Sequence, residues 1–394
     1  MSLTSQIKQL AAELGFDQVG ITRPESLEEG ERAICDWVAE GKHGDMKYLE
    51  EFTARRERFF KDFPGAKSVI VLGVNYYTKS MSSPNDSIGD PGGDSRFRGN
   101  GKALQGKVAR YAWGKDYHEV IRKKHAVFLE KLKILAGGDF RAISCVDTQP
   151  IPERYAAMKA GLGFLGKHTG VLSQEFGPWL FLSEIITDLE LEEDLPASGD
   201  CGSCDHCQKI CPTGALNEDY SIDARLCIAY LTIEHKGVIP HELRPQIKDW
   251  IFGCDECLAV CPFTSKSRES GWSELGPSEG VGERLAMDAV FEIGSNREYE
   301  HYFSKTALLR TNRKQMLRNA CIVLGNSGLP EALPYIKKAL ADASGLVRLH
   351  AAWALGRLKI PTAKVILQEF RRLESDPLVL QEMDLTLKEL EAVS

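Results

Sequence analysis

Eight of the eleven cysteines in this 394-residue chain fall between positions 201 and 261, and their spacing constrains the fold more than any other feature. Cys201-x2-Cys204-x2-Cys207-x3-Cys211-Pro212 matches the ferredoxin run, in which three thiolates hold one [4Fe-4S] cubane and the fourth crosses to a second cluster. Cys254-x2-Cys257-x3-Cys261-Pro262 is the same run with Ile251 at the first position, so one ligand comes from elsewhere, and Cys227 is the available candidate. Each cluster then has four thiolates: Cys201, Cys204, Cys207 and Cys261 on one, Cys211, Cys227, Cys254 and Cys257 on the other. Structural zinc is the competing reading, but zinc ribbons use two well-separated cysteine pairs rather than a triple run ending in Cys-Pro. Two clusters imply one-electron transfer at low potential. Cys35, Cys145 and Cys321 lie in apolar segments and are expected as packed thiols.

A chain of this length exceeds one hydrophobic core, and its composition is that of a soluble globular protein. The N-terminus enters an amphipathic pattern directly, without the basic head and apolar run of a secretion signal, so the expected location is cytoplasmic. Three regions are expected. Residues 1–194 alternate helical stretches (Leu3–Leu14, Leu27–Val38, Val120–Leu135) with strand candidates Val69–Val74, Val108–Ala112, Ala142–Val146 and Leu180–Thr187, an α/β pattern. Within it, 79–107 is a Gly-, Ser-, Asp- and Pro-rich insertion expected as a mobile loop. Residues 195–270 carry the cysteines as a ferredoxin-like domain. Residues 271–394 read as all-helical, and Met316–Gly325 resembles Val347–Gly356 at a period of 31, the signature of HEAT-like stacked hairpins. Two unrelated helices sharing Ala and Leu would be the plainer explanation.

Two tempting motifs are set aside. Gly161-Leu-Gly-Phe-Leu-Gly166 fits G-x-G-x-x-G, but a dinucleotide fingerprint follows a strand, and Glu153–Ala160 reads as a helix. Its glycines are expected to cap that helix and admit close backbone contact. Asp116-Tyr-His118 begins the D-x-H-x-x-G box that gives a histidine to cobalt, yet Ile121 stands at the glycine, so a histidine-ligated cobalamin is not supported.

The residues resemble the epoxyqueuosine reductase family, the iron–sulfur and cobalamin enzymes of tRNA modification related to reductive dehalogenases, over nearly the whole chain. The resemblance rests on Arg110-Tyr-Ala-Trp-Gly-Lys-Asp-Tyr-His118, Asp147-Thr-Gln-Pro-Ile-Pro-Glu-Arg154, Ala160–His168, Phe181–Thr187, the cysteine set, Cys227–Glu234 and the repeat tail. Ala229, Pro178 and the 79–107 insertion depart from the family's usual pattern. The resemblance implies a base-off cobalamin held by the N-terminal α/β domain, with Arg58, Arg110, Tyr111, His118, Lys167, His168 and Arg225 as its contacts. It further implies a low-potential electron donor such as a ferredoxin or flavodoxin, a monomer, and reduction of an epoxide on a modified wobble guanosine of tRNA to give queuosine.

Removing an epoxide oxygen as water needs two electrons and an acid to protonate a poor leaving group. Asp147, at the end of the Ala142–Val146 strand, is the candidate donor, expected at the carboxyl edge of the sheet in a buried site that raises its pKa. Closing the turn before Pro150, or capping the helix near Pro152, is an ordinary alternative for that residue. The chain's formal net charge is −7, but Lys305–Arg372 alone carry +10, suited to a phosphate backbone, with Lys305, Arg310, Arg313, Lys314 and Arg318 as the densest group. A solvated helix face is the bland alternative. Two other functions compete: a different cobalamin-dependent reductive eliminase, such as a dehalogenase, and an electron-transfer scaffold with a binding solenoid.

Overall fold

The computed structural model describes residues 1–79 and 104–392. From the N-terminus run α1 (Leu3–Glu13), β1 (Gln18–Thr22), α2 (Glu28–Ala39), α3 (Phe52–Asp62), β2 (Ser68–Asn75) and β3 (Gln105–Val108). There follow α4 (Tyr117–Ala136), β4 (Ala142–Cys145), α5 (Glu153–Lys159), β5 (Phe164–Leu165), β6 (Val171–Leu172), β7 (Leu180–Thr187), α6 (His206–Ile210), α7 (Ile228–Ile233), β8 (Trp250–Phe252) and α8 (Glu256–Ala259). The remainder holds β9 (Arg284–Ala286), α9 (Met287–Glu292), α10 (Asn296–Tyr302), α11 (Arg313–Ser327), α12 (Leu333–Leu340), α13 (Gly345–Arg357), α14 (Ala363–Arg371) and α15 (Pro377–Ala392). These elements form two compact units. One holds 1–79, 115–225 and 255–276; the other holds the described part of 80–114, with 226–254 and 277–394. The cysteine segment 195–270, expected as a domain of its own, is thus shared between them. Of the 79–107 insertion, positions 80–103 lie outside the described residues, and its last residues enter β3.

In the first unit, a four-stranded sheet in the order β1-β2-β7-β4 is built wholly from antiparallel pairs. The unit mixes helices and strands as expected, but the carboxyl-edge rule used to place Asp147 belongs to parallel sheets and does not apply here. β2 is buried along its whole length because helices cover both faces. On one face, His125 of α4 bonds Ser144 (2.7 Å) and Ser183 (3.0 Å), and burial keeps that imidazole neutral, its pKa pushed down to about 4. On the other face, Val69, Val71, Cys145 and Ile186 pack against Ala156, Ala157 and Ala160 of α5. Small residues let α5 lie close to the sheet. Gly20 of β1 is required there, since a Cβ would stand 1.9 Å from the Ala160 carbonyl oxygen. That short, glycine-centred strand escaped the sequence pattern.

In the second unit, β3 pairs with β8 and β9 in a separate small sheet, and Arg110–Ala112 form a 3-10 turn instead of continuing the strand expected over Val108–Ala112. The helical tail repeats as the sequence suggests. A Cβ on Gly325 of α11 would lie 2.7 Å from the Trp353 ring of α13, and one on Gly356 of α13 would lie 2.4 Å from Thr386 of α15. The 31-residue period therefore marks the points where successive helices touch. No helix among the described residues is long and apolar enough to cross a membrane.

Candidate active site and cluster ligands

Asp147 leaves β4 with φ of 56°, a left-handed conformation that costs a non-glycine residue about 1–3 kcal/mol unless its surroundings hold it. They do. Its backbone N–H donates to Glu153 Oε1 (2.7 Å), while its Oδ2 accepts from the Tyr117 hydroxyl (3.0 Å) and lies 3.4 Å from His118 Nε2. Tyr117 is fixed by parallel stacking on Phe181 of β7, with 4.3 Å between ring centroids. His118 Nδ1 donates to Asp116 Oδ1 (2.7 Å), and the same oxygen accepts the His118 N–H and caps α4. Burial opposes a charge on His118, but the hydrogen bonds and charges of Asp116 and Asp147 outweigh it and push its pKa up to about 9. An imidazolium therefore stands beside Asp147 at neutral pH. The Asp147 side chain is 57% exposed, contrary to the buried acid expected from sequence. The buried carboxyls lie behind it: burial, then the charge of Asp147, pushes Glu153 up to about 8, and Glu184 of β7 is wholly buried.

Four thiols converge in the same unit. Burial pushes Cys207 up to about 11, and the nearby Cys201, Cys261 and Cys204 add to it; burial also raises Cys261, with Cys201 and Cys204 contributing. Thiols that resist each other's ionisation become thiolates together only around a compensating cation. Cys207 on α6 and Cys261 after α8 meet because those two helices pack together. Phe164, Leu172 and Phe263 wall this group, and the Lys167 backbone N–H donates to Cys201 Sγ (3.4 Å). Cys211 Sγ accepts from the Ala215 N–H (3.4 Å); Cys211 and Cys257 lie in the first unit, Cys227 and Cys254 in the second. Cys145 and Cys321 are buried as expected, but Cys35 is exposed beside Thr53 on α2. One turn of apolar neighbours in sequence did not put it on the packed face.

The residues expected around a corrinoid are scattered over both units. Arg110 stacks over Trp113 and Tyr111 lies beside Phe252 in the second; Arg58 is exposed on α3 in the first. Arg225 pairs with Asp223, and Lys167 Nζ donates to the Gly202 carbonyl (2.9 Å). His168 is buried, its Nδ1 accepts from Gly170 (3.0 Å), and its Nε2 has no partner among the described residues. In the 161–166 segment, Gly161 ends α5 at a positive φ, and Gly163 lies against the Leu172 carbonyl, where a Cβ would be 2.4 Å away. The glycines serve packing, as expected.

Of the basic group, Lys305, Arg310 and Lys314 are exposed, Arg310 pairing with Glu234 and Arg313 with Asp342. Arg318 is a correction. It is wholly buried, donating to the carbonyls of Leu231 (2.7 Å), His235 (2.7 Å) and Gly237 (2.8 Å), and so staples α11 to α7 and the chain that follows it. A charge count cannot separate a buried guanidinium from an exposed one.

Three family models match: a 4Fe-4S double cluster binding domain over residues 200–264, epoxyqueuosine reductase QueG (DUF1730) over 56–148, and HEAT repeats over 305–387. The epoxyqueuosine reductase of Pseudomonas aeruginosa is 37% identical over 361 residues, covering 90% of this chain and 94% of that one. The Xanthomonas campestris enzyme is 34% identical over 354 residues, covering 90% and 95%. This chain belongs to the epoxyqueuosine reductase family. Among solved structures, an epoxyqueuosine reductase with an epoxyqueuosine-modified tRNA-Tyr stem loop superposes with a TM-score of 0.86 at 28% identity, covering 99% of each chain. The Bacillus subtilis epoxyqueuosine reductase, solved with a catalytic aspartate loop swung out of the active site, superposes at 0.83 with 27% identity, covering 98% and 99%. Missed in the sequence were the Tyr117 contact, Glu153 and Glu184, although all three sit in the stretches that carried the family resemblance.

Proposed function

We propose that this protein reduces epoxyqueuosine to queuosine in tRNA, with Asp147 as the proton donor to the departing epoxide oxygen. The observation that carries the assignment is full-length similarity to epoxyqueuosine reductases combined with an acid, Asp147, held in a strained turn between a tyrosine hydroxyl and an imidazolium. A strained backbone carrying an over-determined side chain at a solvent-facing position suits a proton donor better than a cap, which needs no strain. Tyr117 orients the carboxyl and His118 supplies positive charge beside the oxygen as negative charge develops there.

The reading extends to two [4Fe-4S] clusters, one on Cys201, Cys204, Cys207 and Cys261, the other on Cys211, Cys227, Cys254 and Cys257. The first set fits: its four thiols lie near one another in one unit, and the Lys167 N–H meets Cys201. A base-off cobalamin completes this reading: both His118 nitrogens already face carboxylates, so no ligand is asked of it, and Lys167, Arg58 and His168, whose buried Nε2 has no partner among the described residues, would be its contacts in the first unit. Bound, it would supply the two-electron reducing centre. tRNA would lie on the helical tail through Lys305, Arg310 and Lys314, with the wobble base turned out of its single-stranded loop at modest unstacking cost. Electrons would come from a ferredoxin- or flavodoxin-like protein, to a monomer in the cytoplasm.

Metal analysis after anaerobic purification and cobalamin reconstitution separates this from an electron-transfer scaffold. About eight irons and one cobalt per chain are expected from two cubanes and one corrinoid; iron without cobalt would mark an electron carrier.

A further inference from the structure

The reduction breaks both C–O bonds of the epoxide, forms a C=C bond and releases the oxygen as water, taking up two electrons and two protons. The electrons come one at a time from the low-potential protein donor; Asp147 can relay only the one proton that the adjacent His118 imidazolium holds. We propose that Glu184 and Glu153 are the store of the second proton, Glu184 at its inner end releasing its proton to Glu153 when its side chain rotates toward it, and Glu153 passing the proton outward to Asp147. This inference rests on the function proposed above.

The geometry is particular. Glu184 sits in the middle of β7, opposite Val71 of β2 and Cys145 of β4, on the face that α5 covers. It is 0% exposed, and neither carboxyl oxygen has a hydrogen-bond partner among the described residues. A carboxylate there would face Val71, Ile186 and the alanines of α5 without a donor or a cation, a cost of several kcal/mol, so the group keeps its proton. Glu153 opens α5 above it, and its Oε1 holds the Asp147 backbone. Glu184 stands opposite Cys145, two residues before Asp147 at the end of β4, and Glu153 bonds the Asp147 backbone, so the three carboxyls lie in one row; the charges of Glu153 and Asp147 both reach Glu184. The other ionisable groups around the row are Cys145, whose thiol burial and the two glutamates push well up, His118, and Arg154, whose guanidinium donates to the Thr169 carbonyl (2.6 Å). β2 presents only apolar side chains to Glu184. The row is refilled from solvent through exposed Asp147 between turnovers.

Glu184→Gln tests this, because an amide is neutral like the protonated acid but cannot give up a proton. The variant should keep the wild-type unfolding midpoint and cluster content. In infrared titrations of the substrate-free protein, wild type should show a protonated-carboxyl band at neutral pH that Glu184→Gln loses. Turnover should fall about tenfold or more, with its alkaline limb moved to lower pH and a larger solvent isotope effect. Glu153→Gln, which keeps the oxygen that holds Asp147, should move the alkaline limb the same way even if Glu184→Gln does not fold. A wild-type Glu184 already ionised at neutral pH, or variants whose pH profiles coincide with wild type, would overturn the proposal. Wild type that shows the band yet leaves epoxyqueuosine untouched would instead sink the function on which it rests.

Discussion

Single residues carry the chemistry, and their environments decide what each can do. Asp147 is exposed and conformationally strained, His118 is a cation because two aspartates flank it, and Glu184 is an acid because no donor among the described residues meets its oxygens. Asp147→Asn keeps the hydrogen bond from Tyr117 but loses the proton; turnover should drop by about 10² or more while fold and cluster content stay unchanged. Near-normal turnover by that variant would return Asp147 to a turn-closing role. Its identity was legible in the sequence from its place between a strand and a helix within a family-like stretch. Its exposure was not, because burial of a loop side chain depends on which elements close over it, and here α5 covers Glu184 instead. Arg318 taught the reverse: it reads as surface charge in a basic run, yet three backbone carbonyls claim it in the interior.

Elements follow from sequence where their apolar period is long and fail where pairing is non-local. α1 and α4 were legible from 3.6-residue spacing and the helical tail from its 31-residue repeat, which found its meaning in the glycine contacts of α11 and α13. The strand direction was not legible, since alternation of helix and strand suggests parallel crossovers, whereas β2 and β4 both pair antiparallel to β7. Nor was β1, whose central Gly20 breaks the pattern for the sake of the Ala160 carbonyl. At this scale, Gly325→Ala should destabilise by about 1–3 kcal/mol despite better helix propensity, because the new methyl meets the Trp353 ring and the adjoining α13 backbone. A chemical-denaturation midpoint at or above wild type would show that α11 and α13 can part freely. On the tail surface, Lys305, Arg310 and Lys314 all reversed to Glu should weaken tRNA binding steeply and flatten its salt dependence, without changing the cluster spectrum. Unchanged affinity and salt slope would put the tRNA surface elsewhere. Arg313 is left out of that variant because it holds Asp342.

The whole molecule combines an acid row, a thiol group and a repeat tail, and its titratable interior predicts how stability follows pH. His125 and His168, both pushed down to about 4 by burial, are neutral in the fold, so stability is full above about 6.5 and declines as pH falls toward 4. His118, raised to about 9, contributes fully below about 6.5 and loses its contribution as pH rises through 9. Glu153, raised to about 8, holds its proton longer in the fold than in the unfolded chain, so it too makes stability fall as pH rises from about 4.5 to 8. The thermal midpoint should peak at about pH 6 to 7 and drop on both sides; a midpoint still rising at pH 9 would contradict this arrangement. The central claim, that this chain deoxygenates epoxyqueuosine on tRNA, meets its most direct test in a single reaction. The protein, reconstituted with iron, sulfide and cobalamin, is incubated without oxygen with a low-potential reductant and an epoxyqueuosine-bearing anticodon stem loop, and the nucleosides are weighed by mass spectrometry. Conversion to a nucleoside lighter by one oxygen atom, co-eluting with queuosine and abolished by Asp147→Asn, is the predicted result. Unaltered epoxyqueuosine, from protein carrying its full iron and cobalt, would contradict the account.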